Sequence, residues 1–172
     1  MNATLQYAVL FTSMGWVGAL ASGHGLRRMT LPMATPDAAL QELGKEAEAA
    51  DESPQRFDGL LRQLEEYFRG ERAQFDVRLD MEGYSPFFSN AWKACASIPV
   101  GQTRSYAWLA DQAGNPAAAR AAGQAMARNP LPLIIPCHRV VGSDGGLHGY
   151  GGGLPMKQRF LDLERRATQL SP

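Results

Sequence analysis

Between Leu5 and Leu31 the apolar residues Tyr7, Val9, Phe11, Val17 and Leu20 come in short runs, broken at Met14-Gly15 and at Gly23-His24-Gly25. Such runs separated by glycine turns predict a small antiparallel sheet. Residues 35–54 are rich in Ala, Glu, Asp and Pro and carry little apolar periodicity, which predicts a loose helix or a mobile surface excursion. The period returns at Phe57, Leu60, Leu61, Leu64 and Phe68, the spacing of an amphipathic helix, and stops at Gly70. Gln74 to Leu79 then alternates Phe75, Val77 and Leu79 with polar neighbours, which predicts one further half-buried strand.

Near Tyr84-Ser85-Pro86 the pattern turns helical and basic. This places a domain boundary at residues 80–85, with an N-terminal α/β domain over 1–82 and a C-terminal domain over 83–172. A helix over Phe87–Ala96 ends at Ile98-Pro99-Val100-Gly101. Ser105 caps a helix over Tyr106–Ala113, Gly114 closes it, and Asn115-Pro116 supply the cap and first-turn proline of the next. By pattern alone this pair is either a helix-turn-helix or an ordinary helical hairpin. The second helix puts Ala118, Ala121, Ala122 and Ala125 on one face and Arg120, Gly123, Gln124 and Ala127 on the other. Its small residues suit either close helix packing with a solvated Arg120 or close approach to a partner surface. After the turn at Asn129-Pro130, the apolar run Leu131–Ile135 reads as strand-like, and Lys157–Arg166 as a final helix packing through Phe160, Leu161 and Leu163.

Composition changes this picture little: apolar and charged fractions of 45% and 20% are those of a globular protein, which sets aside disordered and fibrous classes. No secretory signal or membrane-length apolar run is visible, so a cytoplasmic protein is expected. The net charge of +0 hides an asymmetry. Residues 1–84 carry eight Lys/Arg and thirteen Asp/Glu, a balance of −5, and residues 85–172 carry nine and four, a balance of +5. A polyanionic partner would meet the C-terminal half.

The candidate chemistry lies in that half. Only Cys95 and Cys137 are present, in a spacing that suits neither a zinc quartet nor a disulfide framework. Cys137 stands beside His138 and Arg139, a positively biased setting that favours the reactive thiolate, although a buried inert thiol has the same local sequence. From Gly142 to Gly153 seven of twelve residues are glycine, as in a loop that passes close to a ligand, but no phosphate-loop signature is present. Glu164, on a helix, reads by itself as a surface charge.

Together these segments resemble the O6-alkylguanine-DNA alkyltransferase family. The resemblance runs through Ile98-Pro99-Val100-Gly101-Gln102-Thr103-Arg104-Ser105-Tyr106, Arg120-Ala121-Ala122-Gly123, Asn129-Pro130, Ile135-Pro136-Cys137-His138-Arg139-Val140-Val141 and Gly149-Tyr150-Gly151-Gly152-Gly153, followed by Lys157 and Glu164. It is strong over 86–166 and looser over 1–82. It implies an α/β (α+β) protein, with a small ribonuclease-H-like sheet-and-helix domain before a helical, winged-helix or helix-turn-helix alkyltransferase domain. The implied activity is a single, irreversible transfer of the alkyl group of O6-alkylguanine, and by extension O4-alkylthymine, to Cys137.

The same resemblance implies roles. Cys137 matches the nucleophile, His138 the base that deprotonates it through a water, and Glu164 the carboxylate that orients the imidazole. Tyr106 matches a donor to the extruded guanine, and Arg120 the residue that fills the vacated base stack. The helix of Arg120, Gly123 and Gln124 is expected in the minor groove of double-stranded DNA, with Asn115 and Ser143 at phosphates. Asn129, Val140, Tyr150, Gly151, Gly152 and Lys157 are expected around the substrate pocket. Gly151 replaces a serine of several relatives, so a backbone N–H must serve the guanine oxygen. Ala127 stands where some relatives carry arginine, with Arg128 beside it. Zinc-binding cysteines and histidines of some relatives are missing, so no metal and no cofactor are expected. A monomer, able to assemble cooperatively on DNA and without membrane contact, completes the expectation. A non-catalytic DNA binder of the same fold would lack Cys137, and a transcription factor would not need the Cys-His-Glu set.

Overall fold

The apolar runs at the start of the chain fold back on one another as a meander of β1 (Gln6–Thr12), β2 (Gly15–Ser22) and β3 (Gly25–Met29). This computed structural model describes residues 4–170, in two units divided between Met81 and Glu82. β1 and β2 pair antiparallel from Gln6↔Ala21 to Thr12↔Gly15, and β2 pairs antiparallel with β3 across a register shift at Leu20/Ala21. The sheet order is β3-β2-β1-β4, with the two-residue β4 (Asp51–Glu52) parallel to β1.

Residues 35–54 take the helical of the two expected forms, but packed rather than loose. The Thr35 hydroxyl accepts from the Ala38 N–H at 3.1 Å and Pro36 opens the first turn, so α1 (Pro36–Leu43) starts capped and is followed by α2 (Lys45–Glu48). Ala39, Leu43 and Ala47 are buried, a stripe that the alanine-rich composition concealed. A Cβ on Gly18 would stand 2.8 Å from the Leu43 side chain and 2.9 Å from the Ala39 carbonyl, so glycine is what lets α1 lie against β2.

Past a 3-10 turn at Pro54–Phe57, α3 (Asp58–Phe68) buries Leu60, Leu64, Tyr67 and Phe68 and ends at Gly70 with φ of 77°. Gln74–Leu79 is a second correction: it is not a strand, and a single bridge joins Leu79 to Leu26. Phe75, Val77 and Leu79 do turn inward, but the backbone of Asp76 finds its partners on the Gln63 side chain of α3, at 2.7 and 3.0 Å. A side-chain amide satisfies that peptide, so no ladder is required there.

In the second unit Ser85 caps α4 (Pro86–Ala96), and Ser105 caps α5 (Tyr106–Gln112) by accepting from the Trp108 N–H at 3.0 Å. α6 (Ala119–Ala127) begins later than expected. Asn115 accepts from the Ala117 N–H within a turn over residues 115–118, so it organises the approach to α6 without capping it. The indole N–H of Trp92 in α4 donates to the Ala125 carbonyl at 2.8 Å and ties α4 to α6. Leu131–Ile135 is a turn, with Leu133 at φ of 73°, and not a strand. The two prolines, Pro132 and Pro136, remove donors that a strand would need. A 3-10 turn (Cys137–Arg139) leads into β6 (Val140–Val141), which lies parallel to β5 (Arg104–Ser105). The final helix, α7 (Leu154–Leu170), is longer than expected and buries Phe160 completely, worth about 1.5–3 kcal/mol. No described helix is long and apolar enough to cross a membrane.

Candidate active site

Cys137 sits at the first position of the 3-10 turn and is 7% exposed, with His138 at 0% and Arg139 at 5% behind it. The three consecutive side chains are therefore buried together, which sequence adjacency alone does not require. The β5–β6 pairing holds this segment beside the start of α5, because Arg104 pairs with Val140 and Ser105 with Val141. α7 supplies the partners from the other direction. His138 Nε2 lies 2.6 Å from Glu164 Oε1, and Arg139 donates to both Glu164 oxygens at 2.8 and 2.9 Å and to the Ile98 carbonyl at 2.7 Å. Glu164 is 1% exposed. Read by itself as a surface charge, it is one of the most deeply buried groups of the unit.

Burial alone would push the Glu164 carboxyl up, but hydrogen bonds from His138 and Arg139 outweigh it and hold it at about 2. An ionised carboxylate only accepts, so the His138 nitrogen facing it carries hydrogen and Nδ1 is left as the basic nitrogen. Burial lowers His138, against the opposing pull of Glu164, and keeps the imidazole neutral.

The sulfur differs from expectation. Burial pushes the Cys137 thiol up, and a hydrogen bond from the Asn129 side chain and the charge of Lys157 only partly offset this. His138 is neutral and the Arg139 charge is compensated by Glu164, so neither supplies the positive bias that their positions in sequence suggested. The nearby cation is Lys157, 0% exposed, whose ammonium donates to the Val140 carbonyl at 2.7 Å and stands 5.8 Å from the Tyr106 ring centre. The resting group is thus a thiol that needs a base.

Residues 86–166 match the family described as "6-O-methylguanine DNA methyltransferase, DNA binding domain", and residues 23–81 the one described as "6-O-methylguanine DNA methyltransferase, ribonuclease-like domain". The chain is 50% identical over 120 residues to the methylated-DNA–protein-cysteine methyltransferase of Mycolicibacterium paratuberculosis, covering 70% of this chain and 72% of that one. It is 51% identical over 112 residues to the protein of that name from Mycobacterium tuberculosis, covering 65% and 67%. It belongs to the methylated-DNA–protein-cysteine methyltransferase family. The crystal structure of the Mycobacterium tuberculosis OGT in complex with DNA superposes with a TM-score of 0.81 at 38% identity, over 94% of each chain. The O6-methylguanine-DNA methyltransferase of Pyrococcus kodakaraensis does so with a TM-score of 0.68 at 25% identity, over 94% of this chain and 99% of that one. The fold is therefore the mixed α/β fold of these methyltransferases, with an N-terminal sheet domain and a helical C-terminal domain.

Within this methyltransferase the other expected site residues fall into two groups. Asn129 donates to the Ile135 carbonyl at 2.7 Å and accepts from the Leu131 N–H at 2.9 Å, so it ties the end of α6 to the turn that delivers Cys137. Tyr106 is half-buried, and a Cβ on Gly123 would meet its ring at 3.9 Å. The Tyr150 ring packs against Phe160, centres 6.5 Å apart, and Phe160 in turn against His138 at 5.6 Å. These residues gather around the sulfur. Arg120 and Gln124 are exposed on the outer face of α6, with Gly123 half-buried between them and Ala122, Ala125 and Met126 buried beneath. Asn115, Ser143, Gly151 and Gly152 are exposed in turns or loops.

Sequence reasoning missed two parts of the site. Arg139 is the bidentate partner of Glu164, where the sequence suggested a charge for the sulfur. His148 folds back so that its ring lies 6.3 Å from that of Tyr106 and its Nε2 3.7 Å from Asp144. A histidine inside a glycine-rich stretch was the only signal available for it.

Proposed function

We propose that this chain repairs DNA by moving the alkyl group from O6 of a damaged guanine to its own Cys137, once per molecule. The observation that carries the reading is the buried Cys137 next to an imidazole fixed on an ionised, doubly hydrogen-bonded carboxylate. His138 Nδ1 takes the thiol proton through a water. The sulfur attacks the alkyl carbon, the S–C bond forms as the C–O6 bond breaks, and the electron pair stays on the purine. The Tyr106 hydroxyl assists the departing base, and guanine gains one proton for the one lost from sulfur. The thioether has no path back to a thiol, so the reaction stops there.

The relatives named above include one crystallised in complex with DNA, and DNA is the partner proposed here. A base must leave the stack to reach a buried sulfur, at a cost of a few kcal/mol. Exposed Arg120 fills the vacated space. α6 lies in the minor groove of double-stranded DNA, where small residues such as Gly123 allow close approach and degenerate base edges suit damage found in any sequence. Asn115, Gln124 and Ser143 steady the backbone, and the Val140 carbonyl, Tyr150, Gly151 and Gly152 surround the purine. Residues 83–172 hold all of these groups. O4-alkylthymine, with the same alkoxy arrangement, is a second substrate, and the free protein is a monomer that can assemble along DNA.

Intact-protein and peptide mass spectrometry after mixing with O6-methylguanine DNA tests the reading. One methyl on the Cys137 peptide, and never more than one per protein, is expected. Repeated turnover or an unmodified Cys137 would refute it. Cys137→Ala should still bind DNA, and Arg120→Ala should slow repair in duplex DNA while sparing reaction with free O6-benzylguanine.

A further inference from the structure

The phenol of Tyr150 is an anomaly in an otherwise satisfied site. Its ring is half-buried, yet its hydroxyl is shielded from solvent and meets no donor or acceptor among the described residues. The backbone around it is cared for, since the Tyr150 carbonyl accepts from the Gly153 N–H at 3.0 Å just before α7 begins. A buried hydroxyl without a partner forfeits the hydrogen bonds it made to water, a loss tolerated where the group has another task.

Its surroundings indicate the task. Tyr150 meets Phe160 edge-on and Phe160 lies tilted against His138, so a chain of ring contacts leads from the phenol to the base of the site. Burial raises the phenol well above its ordinary range, and the next influences on it are Cys137 and then Glu164. The hydroxyl is therefore a neutral donor, within electrostatic reach of both the sulfur and the carboxylate. The other charged or titratable groups facing Cys137 are Lys157 from α7, Tyr106 from α5 and Cys95 from α4. Of these, Lys157 spends one N–H on the Val140 carbonyl. Asn129 gives one amide N–H to Ile135 and also hydrogen-bonds the sulfur. A sulfur anion formed at so buried a place gains from one more donor, and the Tyr150 hydroxyl has no partner of its own among the described residues.

We propose that the Tyr150 hydroxyl is that donor: it hydrogen-bonds the Cys137 thiolate once His138 has taken the proton, and so stabilises the attacking anion. The phenol keeps its own proton throughout and only shares it. The thiol proton goes to His138, and the sulfur lone pair later forms the S–C bond.

Tyr150→Phe removes only the oxygen. Reaction of Cys137 with iodoacetamide, followed across pH by peptide mass spectrometry that separates it from Cys95, reads the sulfur without any purine. The titration should move up by about one pH unit, on the order of a tenfold loss of thiolate at neutral pH, since one charge-assisted hydrogen bond is removed. Transfer from duplex O6-methylguanine and from free O6-benzylguanine should slow by the same factor. An unshifted thiol titration overturns the proposal, whether transfer is normal or slowed; slowed transfer alone would assign the hydroxyl to the purine. Should the phenylalanine variant not fold, a fluorinated tyrosine at position 150, a stronger donor, decides: a downward shift supports the proposal and no shift overturns it. The proposal rests on Cys137 as the nucleophile of the function proposed above. If the unaltered protein took no alkyl group from DNA, that function would fail while the thiol titration still judged Tyr150.

Discussion

Glu164 accepts two hydrogen bonds from Arg139 and shares a third with His138, and at 1% exposed its charge survives burial only while those partners remain. Arg139→Met leaves a buried carboxylate short of its bidentate partner and should lower stability by about 3–5 kcal/mol, read from urea unfolding. A loss below about 1 kcal/mol, the worth of an exposed pair, would show that the network carries little. Lys157 acts differently, because its charge reaches the sulfur. Lys157→Met keeps most of the side-chain volume and removes a charge that pulls the Cys137 thiol down, so the iodoacetamide titration of Cys137 should move to higher pH. An unchanged titration would remove Lys157 from the account of the thiol.

At the scale of elements, α6 and the loop after β6 both meet Tyr106, and each contains a glycine with a distinct task. Gly123 has room for a methyl group, which would touch Tyr106 at 3.9 Å. Gly123→Ala should therefore raise stability by about 0.5–1 kcal/mol, the ordinary gain for alanine in a helix, while weakening duplex binding if this face enters the groove. Calorimetry and a DNA titration on one preparation would separate the two effects. Gly142 has no such room, since a Cβ there would stand 2.2 Å from His148 Nε2 and 2.7 Å from Asp144 Oδ1. Gly142→Ala should displace His148 from Tyr106 and slow transfer. The His148 and Asp144 side chains are exposed and free to swing away, so adding His148→Ala should slow transfer no further once the ring contact is lost; an additional loss would contradict the packing described.

At the scale of the whole molecule this same carboxylate makes stability depend on pH, in the same direction as the buried His138. Its folded value of about 2 lies below the ordinary 4.5, so the unfolded chain binds a proton more readily. The stabilisation, about 3 kcal/mol, is fully present above the ordinary carboxylate value and is lost as pH falls toward the folded one. Urea unfolding from neutral pH to about 3 should show this decline, and Glu164→Gln should flatten it; an equally steep decline in that variant would place the acid sensitivity elsewhere. Much of the architecture was legible beforehand. The meander of β1–β3, α3, α4 and α5 follow from periods, glycine turns and serine caps, all of which act within a few residues. Local pattern failed where distant groups satisfied the backbone or covered the side chains. Gln63 took the peptide partners of Asp76 and made a strand unnecessary, and α1 became a buried helix because Gly18 let it approach the sheet. The motif around Cys137 disclosed the family and pointed to the thiol proposed as nucleophile. Only the tertiary structure decided that Glu164 is buried, that Arg139 serves the carboxylate, that Lys157 is the cation near the sulfur and that Tyr150 holds an uncommitted hydroxyl. Sequence records which groups are present, but desolvation and hydrogen-bond partnership, which set their protonation, depend on residues brought together from α4, α5, β6 and α7.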